Sequence, residues 1–290
     1  MKLEHRVCVI TGATSGIGLA VAELLAEQNA RVIGVGRSAA RCAAAVELLL
    51  SQGAPAQSVA FLTADLCIQS DVRRLADEVG SVLDSWGHPH LDVLINNAAT
   101  VPFWQTLTPE GFDMQWAVNH LAPFLLTAGL LPRLRLAPAG RVITVSSGSH
   151  RGGRLDWRDI QLLRHYSPLR AYSLTKLANV LFTLELNRRL GPRTTVRAFA
   201  ADPGLVNTEI GMKSNSVIAR LVWDIRRRGG VPARKSAAGI VFLATEPAIQ
   251  DSTHVYWKNK LPARPSARAS NPQSARQLWE LSAQMCGIPA

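Results

Sequence analysis

Short apolar runs alternate with amphipathic stretches along most of the chain. The runs are five to seven residues long and rich in β-branched residues, which is typical of buried strands. The stretches between them repeat apolar residues every three to four positions, as Ile17, Ala20, Val21, Leu24 and Leu25 do, and this spacing is typical of helices. The predicted strands are Arg6–Ile10, Arg31–Val35, Ser58–Thr63, Leu91–Ile95, Arg141–Val145 and Thr194–Ala200. The predicted helices are Gly16–Asn29, Ala39–Ser51, Ser70–Trp86, Phe112–Leu136, Leu169–Leu190 and Ser274–Met285.

The order of these elements predicts the fold. Strands that alternate with helices along the chain form a parallel sheet with helices on both faces. We therefore expect a Rossmann-type, doubly wound α/β fold with three layers, and 290 residues fit a single domain of this kind over 1–290. Ser70 is the predicted N-cap of the third helix, and Pro123 is expected to kink the fourth helix or to remove one of its hydrogen bonds. The Pro-, Arg- and Ser-rich stretch Lys258–Pro272 predicts a surface loop that opens a C-terminal extension over 258–290.

Three glycines lie where the first strand turns into the first helix, in the sequence Thr11-Gly12-Ala13-Thr14-Ser15-Gly16-Ile17-Gly18. Glycines allow a tight turn close to a pyrophosphate, and the helix N-terminus offers unpaired N–H groups to its oxygens. The spacing is G-x-x-x-G-x-G and not the usual G-x-G-x-x-G, so the three glycines alone are weak evidence. The strand before them and the helix after them favour nucleotide binding. The alternative is a tight βα turn that binds nothing. The candidate phosphate-binding residues are Gly12, Thr14, Ser15, Gly16, Ile17 and Gly18.

The end of the second predicted strand bears on the choice of cofactor. A carboxylate at this place would hold the ribose 2′-hydroxyl of NAD, whereas a guanidinium suits the 2′-phosphate of NADP. The sequence here is Val35-Gly36-Arg37-Ser38, followed by Arg41. NADP(H) is therefore the expected cofactor, and the alternative is that these arginines are ordinary surface residues.

Tyr172 and Lys176 are four residues apart in a predicted helix, so they lie on one helix face. An ammonium beside a phenol stabilises the phenolate and lowers the pKa of the phenol, which makes it a usable acid or base near neutral pH. Ser147 follows a predicted strand and Asn97-Ala98 follows another, so both are expected at the carboxyl edge of the sheet, where ligands bind in such folds. Asn119 lies in the long fourth helix, and its structural alternative is a buried asparagine paired with backbone.

These motifs together resemble the short-chain dehydrogenase/reductase family. The strings that carry the resemblance are TGATSGIG, NNAA, Asn119, Ser147, YSLTK and Asp202-Pro203-Gly204, and the match extends from about Arg6 to Thr208. WAVNHLAPFLLT, RVITVSSGSH, AYSLTKLANVLFTLEL and ADPGLVNTEI resemble the retinol dehydrogenase-like branch. HYSPLRAYSLTKLANVLF and QLWELSAQMCGI are most similar to the subgroup of the dehydrogenase/reductase on chromosome X.

The resemblance implies roles for individual residues. Tyr172 would be the proton donor or acceptor, Lys176 would bind the nicotinamide ribose and lower the pKa of Tyr172, and Ser147 would polarise the substrate oxygen. Asn119 would hold a water that connects Lys176 to solvent. Besides the glycine turn, Tyr172 and Lys176, the implied cofactor-binding residues are Arg37, Arg41, Asp65, Leu66, Asn97, Ala98, Pro203, Gly204, Val206 and Thr208.

Charge and cysteine content limit the partners. The net charge of +11 is uneven: residues 1–130 carry 7 basic and 12 acidic groups, and residues 131–290 carry 25 and 9. A solvated arginine surface and a peripheral contact with an anionic membrane are both open, whereas scattered arginines without interleaved aromatics argue against nucleic acid. Four cysteines without regular spacing predict neither disulfides nor a zinc site, and no metal is expected. The chain shows no leader and no apolar span of sufficient length, so we expect a cytoplasmic protein.

A variable segment near 209–230 is the expected substrate lid. Its apolar positions, among them Val217, Leu221 and Ile225, suggest a lipophilic substrate. The leading hypothesis is therefore an NADP(H)-dependent oxidoreductase that interconverts a lipophilic alcohol and its aldehyde or ketone. The alternative is a non-catalytic nucleotide sensor or scaffold with the same fold, and by analogy with relatives we expect a homo-oligomer.

Overall fold

A twisted sheet lies at the centre of the computed structural model, which describes residues 6–204 and 232–290. In these residues the strands are β1 (Val7–Thr11), β2 (Arg31–Gly36), β3 (Val59–Thr63), β4 (Val93–Asn96), β5 (Arg141–Val145), β6 (Arg197–Asp202), β7 (Tyr256–Lys258) and β8 (Leu261–Pro262). Their order across the sheet is β3-β2-β1-β4-β5-β6-β7-β8. The first seven strands of that order are parallel, and β8 pairs antiparallel with β7. The carboxyl ends of the parallel strands therefore meet along one edge.

Helices cover both faces of the sheet. They are α1 (Gly16–Ala26), α2 (Ala39–Ser51), α3 (Gln69–Ser85), α4 (Met114–Trp116), α5 (Ala122–Arg135), α6 (Pro168–Leu190), α7 (Ala233–Thr245) and α8 (Pro272–Met285). One core joins α1 and α7 to the sheet, and the other joins α3, α5, α6 and α8 to its opposite face. This arrangement confirms the predicted three-layer, doubly wound α/β fold.

Alternation along the strands separates the two cores. In β1, Val7 and Val9 pack into the core of α3, α5, α6 and α8, whereas Cys8 and Ile10 pack into the core of α1 and α7. Successive side chains of a strand point to opposite faces, and here both faces are covered. The strand sequences are therefore apolar throughout, which is why they could be predicted.

The start of α3 differs from the prediction. Ser70 is not its N-cap: the helix begins at Gln69, and Ile68 is the capping residue. The N–H of Gln69 instead donates to Oε1 of Glu110 at 2.8 Å. A carboxylate from a loop 41 residues away thus satisfies a helix N-terminus that local sequence would assign to a serine.

The expected long helix Phe112–Leu136 is interrupted. Asp113 caps α4 through Oδ1, which accepts hydrogen bonds from the N–H groups of Gln115 and Trp116 at 3.0 and 3.1 Å. A π-helical turn, Ala117–Leu121, then precedes α5, in which Pro123 is at one of the first two positions. Pro123 has no N–H to continue the α-helical ladder, and the wider turn accommodates this loss.

The C-terminal part contains more regular structure than predicted. β7 was not predicted, and the expected loop Lys258–Pro272 contains β8 and a short helical turn, Arg268–Ser270. Strands of two or three residues are too short to show a period. The predicted lid at 209–230 lies outside the described residues, and none of the described helices has the length and apolar character needed to cross a bilayer.

Candidate active site

The glycine turn between β1 and α1 is shaped by contacts that exclude side chains. Gly12 and Gly16 have φ values of +68° and +57°, a region that L-residues rarely adopt. A Cβ on Gly18 would lie 2.2 Å from the carbonyl oxygen of Gly12 and 2.5 Å from Nδ2 of Asn97. Gly16 is therefore required for its backbone angle, and Gly18 is required for close packing.

Hydrogen bonds fasten this turn to the end of β4. Oγ1 of Thr11 accepts from the N–H groups of Asn97 and Ala98, both at 3.0 Å. Nδ2 of Asn97 donates to the carbonyl oxygen of Thr11 at 2.8 Å. Asn97 thus supports the turn with its own amide, a role that the sequence did not reveal.

The N-terminus of α1 faces the same edge of the sheet. Ser15 is its N-cap, yet the Ser15 side chain makes no capping hydrogen bond among the described residues. The first N–H groups of a helix need acceptors, and phosphate oxygens are suitable ones. Together with the glycine cradle, this N-terminus fits a dinucleotide.

The ends of β2 and β3 lie beside this turn. A Cβ on Gly36 would lie 2.4 Å from Cγ2 of Thr14, so the end of β2 packs directly against the glycine turn. Arg37 and Arg41 follow and are exposed. Burial and a hydrogen bond with Asp65 raise the pKa of the Cys67 thiol to about 11, and the positive charge of Arg37 opposes this rise. The N–H of Ala64 donates to the Gly36 carbonyl at 3.0 Å, so Arg37 lies beside the segment that follows β3.

Leu66, from that segment, lines a small cavity with Thr11, Asn96 and Ala98. Oδ1 of Asp65 accepts from the N–H of Cys67 at 3.1 Å, which fixes the turn that carries Leu66. The structure thus brings the predicted residues of three strand ends, β1, β3 and β4, to one place.

Helix α6 carries Tyr172 and Lys176 to the end of β5. Nζ of Lys176 lies 5.4 Å from the centre of the Tyr172 ring and donates to the carbonyl oxygen of Val145 at 2.8 Å. In return, Oγ of Ser146 donates to the carbonyl oxygen of Lys176 at 2.8 Å. Ser147 comes directly after this pair of bonds, so the predicted residues Ser147, Tyr172 and Lys176 all lie where α6 packs against the end of β5.

Lys176 is only 2% exposed, and burial lowers the pKa of its ammonium to about 8. Desolvation disfavours the charged form, since the ammonium loses most of its hydration inside the protein. The group still remains mostly protonated at neutral pH. It therefore supplies a positive charge beside the phenol.

The loop that carries Ser147 is held by residues outside the predicted set. Nδ1 of His150 donates to the carbonyl oxygen of Ser147 at 2.8 Å, and Nε2 accepts from the N–H of Ser266 at 3.1 Å, which defines the tautomer. Burial lowers the pKa of His150, so the ring is neutral at pH 7. The ring lies 4.8 Å from that of Tyr256.

Tyr256 connects this loop to the end of β6. Its hydroxyl donates to Oδ2 of Asp202 at 2.6 Å, and Oδ1 of Asp202 accepts from the N–H of Gly204 at 3.0 Å. Pro203 and Gly204 therefore lie at the same edge as Ser147. His150 and Tyr256 do not stand out in the sequence, in which a histidine three residues after Ser147 is the one available signal. The predicted Val206 and Thr208 lie outside the described residues.

The side chain of Asn119 is fully engaged. Oδ1 accepts from the N–H of Thr100 at 2.7 Å, and Nδ2 donates to the Thr100 carbonyl at 2.9 Å and to Oγ1 of Thr175 at 3.3 Å. The side-chain amide of Asn119 is thus paired with backbone, as the alternative prediction for this residue expected. Its main-chain carbonyl cannot accept the usual α-helical hydrogen bond, because Pro123, four residues later, has no N–H to donate.

Comparisons with known proteins agree with this geometry. The family described as short chain dehydrogenase matches residues 6–218. Bovine dehydrogenase/reductase SDR family member 13 is 36% identical, over 99% of this chain and 74% of that protein. Human retinol dehydrogenase 12 is 33% identical, over 99% and 88%.

Solved structures show the same fold. An uncharacterized protein of Mycobacterium paratuberculosis is 35% identical, with a TM-score of 0.74 over 100% of this chain and 97% of that one. A metagenomic short-chain oxidoreductase solved in complex with NADP has a TM-score of 0.65 over 90% and 100%, at 23% identity.

The matched family is one of nicotinamide-dependent oxidoreductases that act on CH–OH groups, and the fold and the glycine cradle agree with that class. The chain belongs to the short-chain dehydrogenase/reductase family. Its relatives include several retinol dehydrogenases, which confirms the predicted branch. The narrower placement in the chromosome X subgroup stays a prediction.

Proposed function

We propose that this protein interconverts a lipophilic alcohol and its aldehyde or ketone with NADP(H). The observation that carries the proposal is the pair of hydrogen bonds between α6 and the end of β5. These bonds hold Lys176, which lies beside Tyr172, against Val145 and Ser146, and this supports a site with Ser147 at the sheet edge that also carries the glycine cradle.

Each residue has a distinct task in this proposal. The bound nicotinamide supplies or accepts the hydride. In reduction, Tyr172 gives its hydroxyl proton to the substrate oxygen, and in oxidation it takes that proton back. Ser147 orients the substrate oxygen by a hydrogen bond. The positive charge of Lys176 stabilises the Tyr172 phenolate left after the proton has moved.

Reprotonation of Tyr172 needs a path to solvent. We infer that a water on the main-chain carbonyl of Asn119 connects Lys176 to solvent, because Pro123 leaves that carbonyl without its α-helical donor. The Asn119 side chain then serves to fix the π-helical turn through Thr100.

The preference for NADP(H) rests on Arg37 and Arg41, which follow β2 without a neighbouring carboxylate. Asp65, which follows β3, uses one carboxylate oxygen to accept the N–H of Cys67 at 3.1 Å. Structural neighbours solved with NADP or NADPH agree with this choice. Replacing Arg37 with Ala should weaken NADPH binding and leave NADH binding nearly unchanged, as measured by fluorescence titration. Equal losses for both cofactors would argue against the role of Arg37.

The proposed substrate class is lipophilic. The names of the relatives include retinol dehydrogenases, whose substrate is an apolar alcohol. We propose a single nucleotide-binding domain over 1–290, in which the segment near 209–230 covers the substrate and 258–290 is the C-terminal extension.

We further propose a cytoplasmic homo-oligomer that touches anionic membranes. All four cysteines are unpaired, which agrees with a reducing compartment. Trp104 is 75% exposed, and Leu163 is 44% exposed beside the exposed Arg164. A hydrogen bond from Gln105 to the Leu162 carbonyl joins the loop that carries Trp104 to the loop that carries Leu163. Exposed apolar and basic groups together suit a membrane surface. Liposome sedimentation at low and high salt tests this proposal, and absence of binding to anionic vesicles would refute it.

The activity is tested by NADPH oxidation with a panel of aldehydes and ketones that includes retinal, followed by absorbance. Replacing Tyr172 with Phe should abolish turnover and leave NADPH binding nearly intact. The matched control is Tyr166→Phe, which removes a hydroxyl that donates to the Pro102 carbonyl and should keep turnover. Full activity of Tyr172→Phe would refute the mechanism. NADPH binding without turnover on any substrate would favour the non-catalytic sensor or scaffold.

A further inference from the structure

Two histidines and an aspartate converge at the sheet edge opposite to the active site. His88 and His90 lie in the loop between α3 and β4, and Asp92 directly precedes β4. Their candidate ligand atoms all lie within 4.8 Å of one another. None of the three belongs to the residues selected from the sequence. We propose that His88, His90 and Asp92 form a binding site for a divalent transition-metal ion of the zinc class.

The distances suit a shared ion better than a direct contact. Nε2 of His90 and Oδ1 of Asp92 are 3.5 Å apart, which is long for a hydrogen bond. Ligand atoms at 2.0–2.1 Å from a tetrahedral zinc ion are about 3.3 Å from one another. Only small side-chain movements would therefore bring these two atoms into one coordination sphere.

The histidine tautomer of His88 also fits a metal ligand. Its Nδ1 lies 3.3 Å from the carbonyl oxygen of His90, so an Nδ1–H can donate there and leave Nε2 as the ligand atom. Metal-binding histidines commonly donate their second ring N–H to a carbonyl in this way. The rings of His88 and His90 are 4.6 Å apart, at 65° to each other.

Backbone groups hold His88 and Asp92 in place. The N–H of His88 donates to the Leu83 carbonyl at 2.9 Å and that of Gly87, with φ +63°, donates to the Asp84 carbonyl at 3.0 Å. These two bonds form a Schellman motif at the end of α3. Oδ2 of Asp92 accepts from the N–H of Val7 at 2.9 Å, which leaves Oδ1 facing His90.

The position of the site separates it from the redox centre. Asp92 lies at the amino end of β4, whereas Ser147 follows the carboxyl end of the neighbouring β5. An ion at this place would tie the end of α3 to β1 and β4 without touching the redox site. Three protein ligands leave a fourth position for water.

The test uses the full chain, purified without a histidine tag and treated with EDTA. Zn²⁺ binding is measured by calorimetry for the wild type, His88→Gln, His90→Gln and the control His254→Gln, in which an exposed histidine outside the site is replaced. We expect one Zn²⁺ per chain for the wild type and the control. Both site variants should bind at least about tenfold more weakly. Saturating Zn²⁺ should raise the melting temperature of the wild type by on the order of 5 °C.

Co²⁺ provides a second readout, since a tetrahedral cobalt site has intense visible absorption bands and an octahedral one does not. The wild type should show these bands, and the two site variants should lose them. Equal Zn²⁺ affinity of the wild type and either site variant, the absence of saturable binding, or an octahedral cobalt spectrum would each overturn the proposal. These readouts do not depend on enzyme activity, so they are independent of the proposed function.

Discussion

Replacing Lys176 with Met should make the protein inactive and more stable. Methionine keeps an unbranched apolar chain in the buried space but removes the ammonium. Lys176 is 2% exposed, and burial lowers the pKa of its ammonium from 10.5 to about 8. The protein thus holds a charged group where an uncharged one would be better accommodated, which is common at catalytic sites.

The magnitude follows from the pKa shift. Each pKa unit corresponds to about 1.4 kcal/mol, so this lowering represents about 3 kcal/mol of destabilisation at pH 7, where the lysine is charged in the folded and the unfolded chain. The variant also loses the hydrogen bond from Lys176 to the Val145 carbonyl, which costs about 1.5 kcal/mol. The cost is no larger because Nδ2 of Asn179, at 3.4 Å, still donates to that oxygen. The expected net gain is about 1.5 kcal/mol.

Guanidinium unfolding of the protein without cofactor measures this difference. The advantage of Lys176→Met should be full below pH 8 and vanish between about pH 9 and pH 10. Above pH 10.5, where the wild-type lysine is neutral in both states, the variant should be less stable by about 1.5 kcal/mol, because only the lost hydrogen bond remains. The control Lys235→Met removes an exposed ammonium and should change the stability by less than about 0.5 kcal/mol. A variant clearly less stable than the wild type at pH 7 would refute the reasoning.

Three further predictions concern other parts of the structure. Gly18→Ala should lose NADPH binding in a fluorescence titration, because its Cβ would lie 2.2 Å from the Gly12 carbonyl, whereas Gly80→Ala on α3 meets nothing closer than 3.9 Å and should bind normally. Burial lowers the pKa of His120 to about 4, so the free energy of unfolding should fall by up to about 3 kcal/mol from pH 6.5 to pH 4. Denaturant titrations should show a smaller fall for His120→Gln, and an equal fall in the variant and the wild type would contradict this role of His120. His150→Ala should lower kcat by about tenfold to a hundredfold with little effect on NADPH affinity, since it frees the Ser147 carbonyl; an unchanged kcat would exclude this positioning role.

The sequence predicts those parts of the fold that repeat a period. The strands of the sheet interior are apolar on both faces, and the turn around Gly12 follows directly from β1, so both could be recognised locally. β7 and β8 could not, because two or three residues show no alternation. The N-terminus of α3 depends on Glu110, a residue far away in the sequence, and local capping rules therefore chose Ser70 wrongly.

The candidate site shows the same division. The spacing of Tyr172 and Lys176 predicts a shared helix face, and the structure adds the hydrogen bond that fixes Lys176 against β5. The network of His150, Tyr256 and Asp202 joins three segments that are distant in sequence, so no spacing rule reveals it. The role of Asn119 stays a prediction, and only the structure shows that its side-chain amide is paired with Thr100 and Thr175.

The central claim is that Tyr172 moves the proton while the hydride passes between a nicotinamide and a carbonyl carbon at the end of β5. The most direct measurement uses NADPH in which both hydrogens of the reactive ring carbon are deuterium, an apolar aldehyde, and mass spectrometry of the alcohol formed. The wild type should transfer the deuterium to the carbinol carbon, and Tyr172→Phe should bind the cofactor and form no labelled alcohol. Label transfer by Tyr172→Phe at the wild-type rate would contradict the account, as would a wild type that binds NADPH and labels no alcohol.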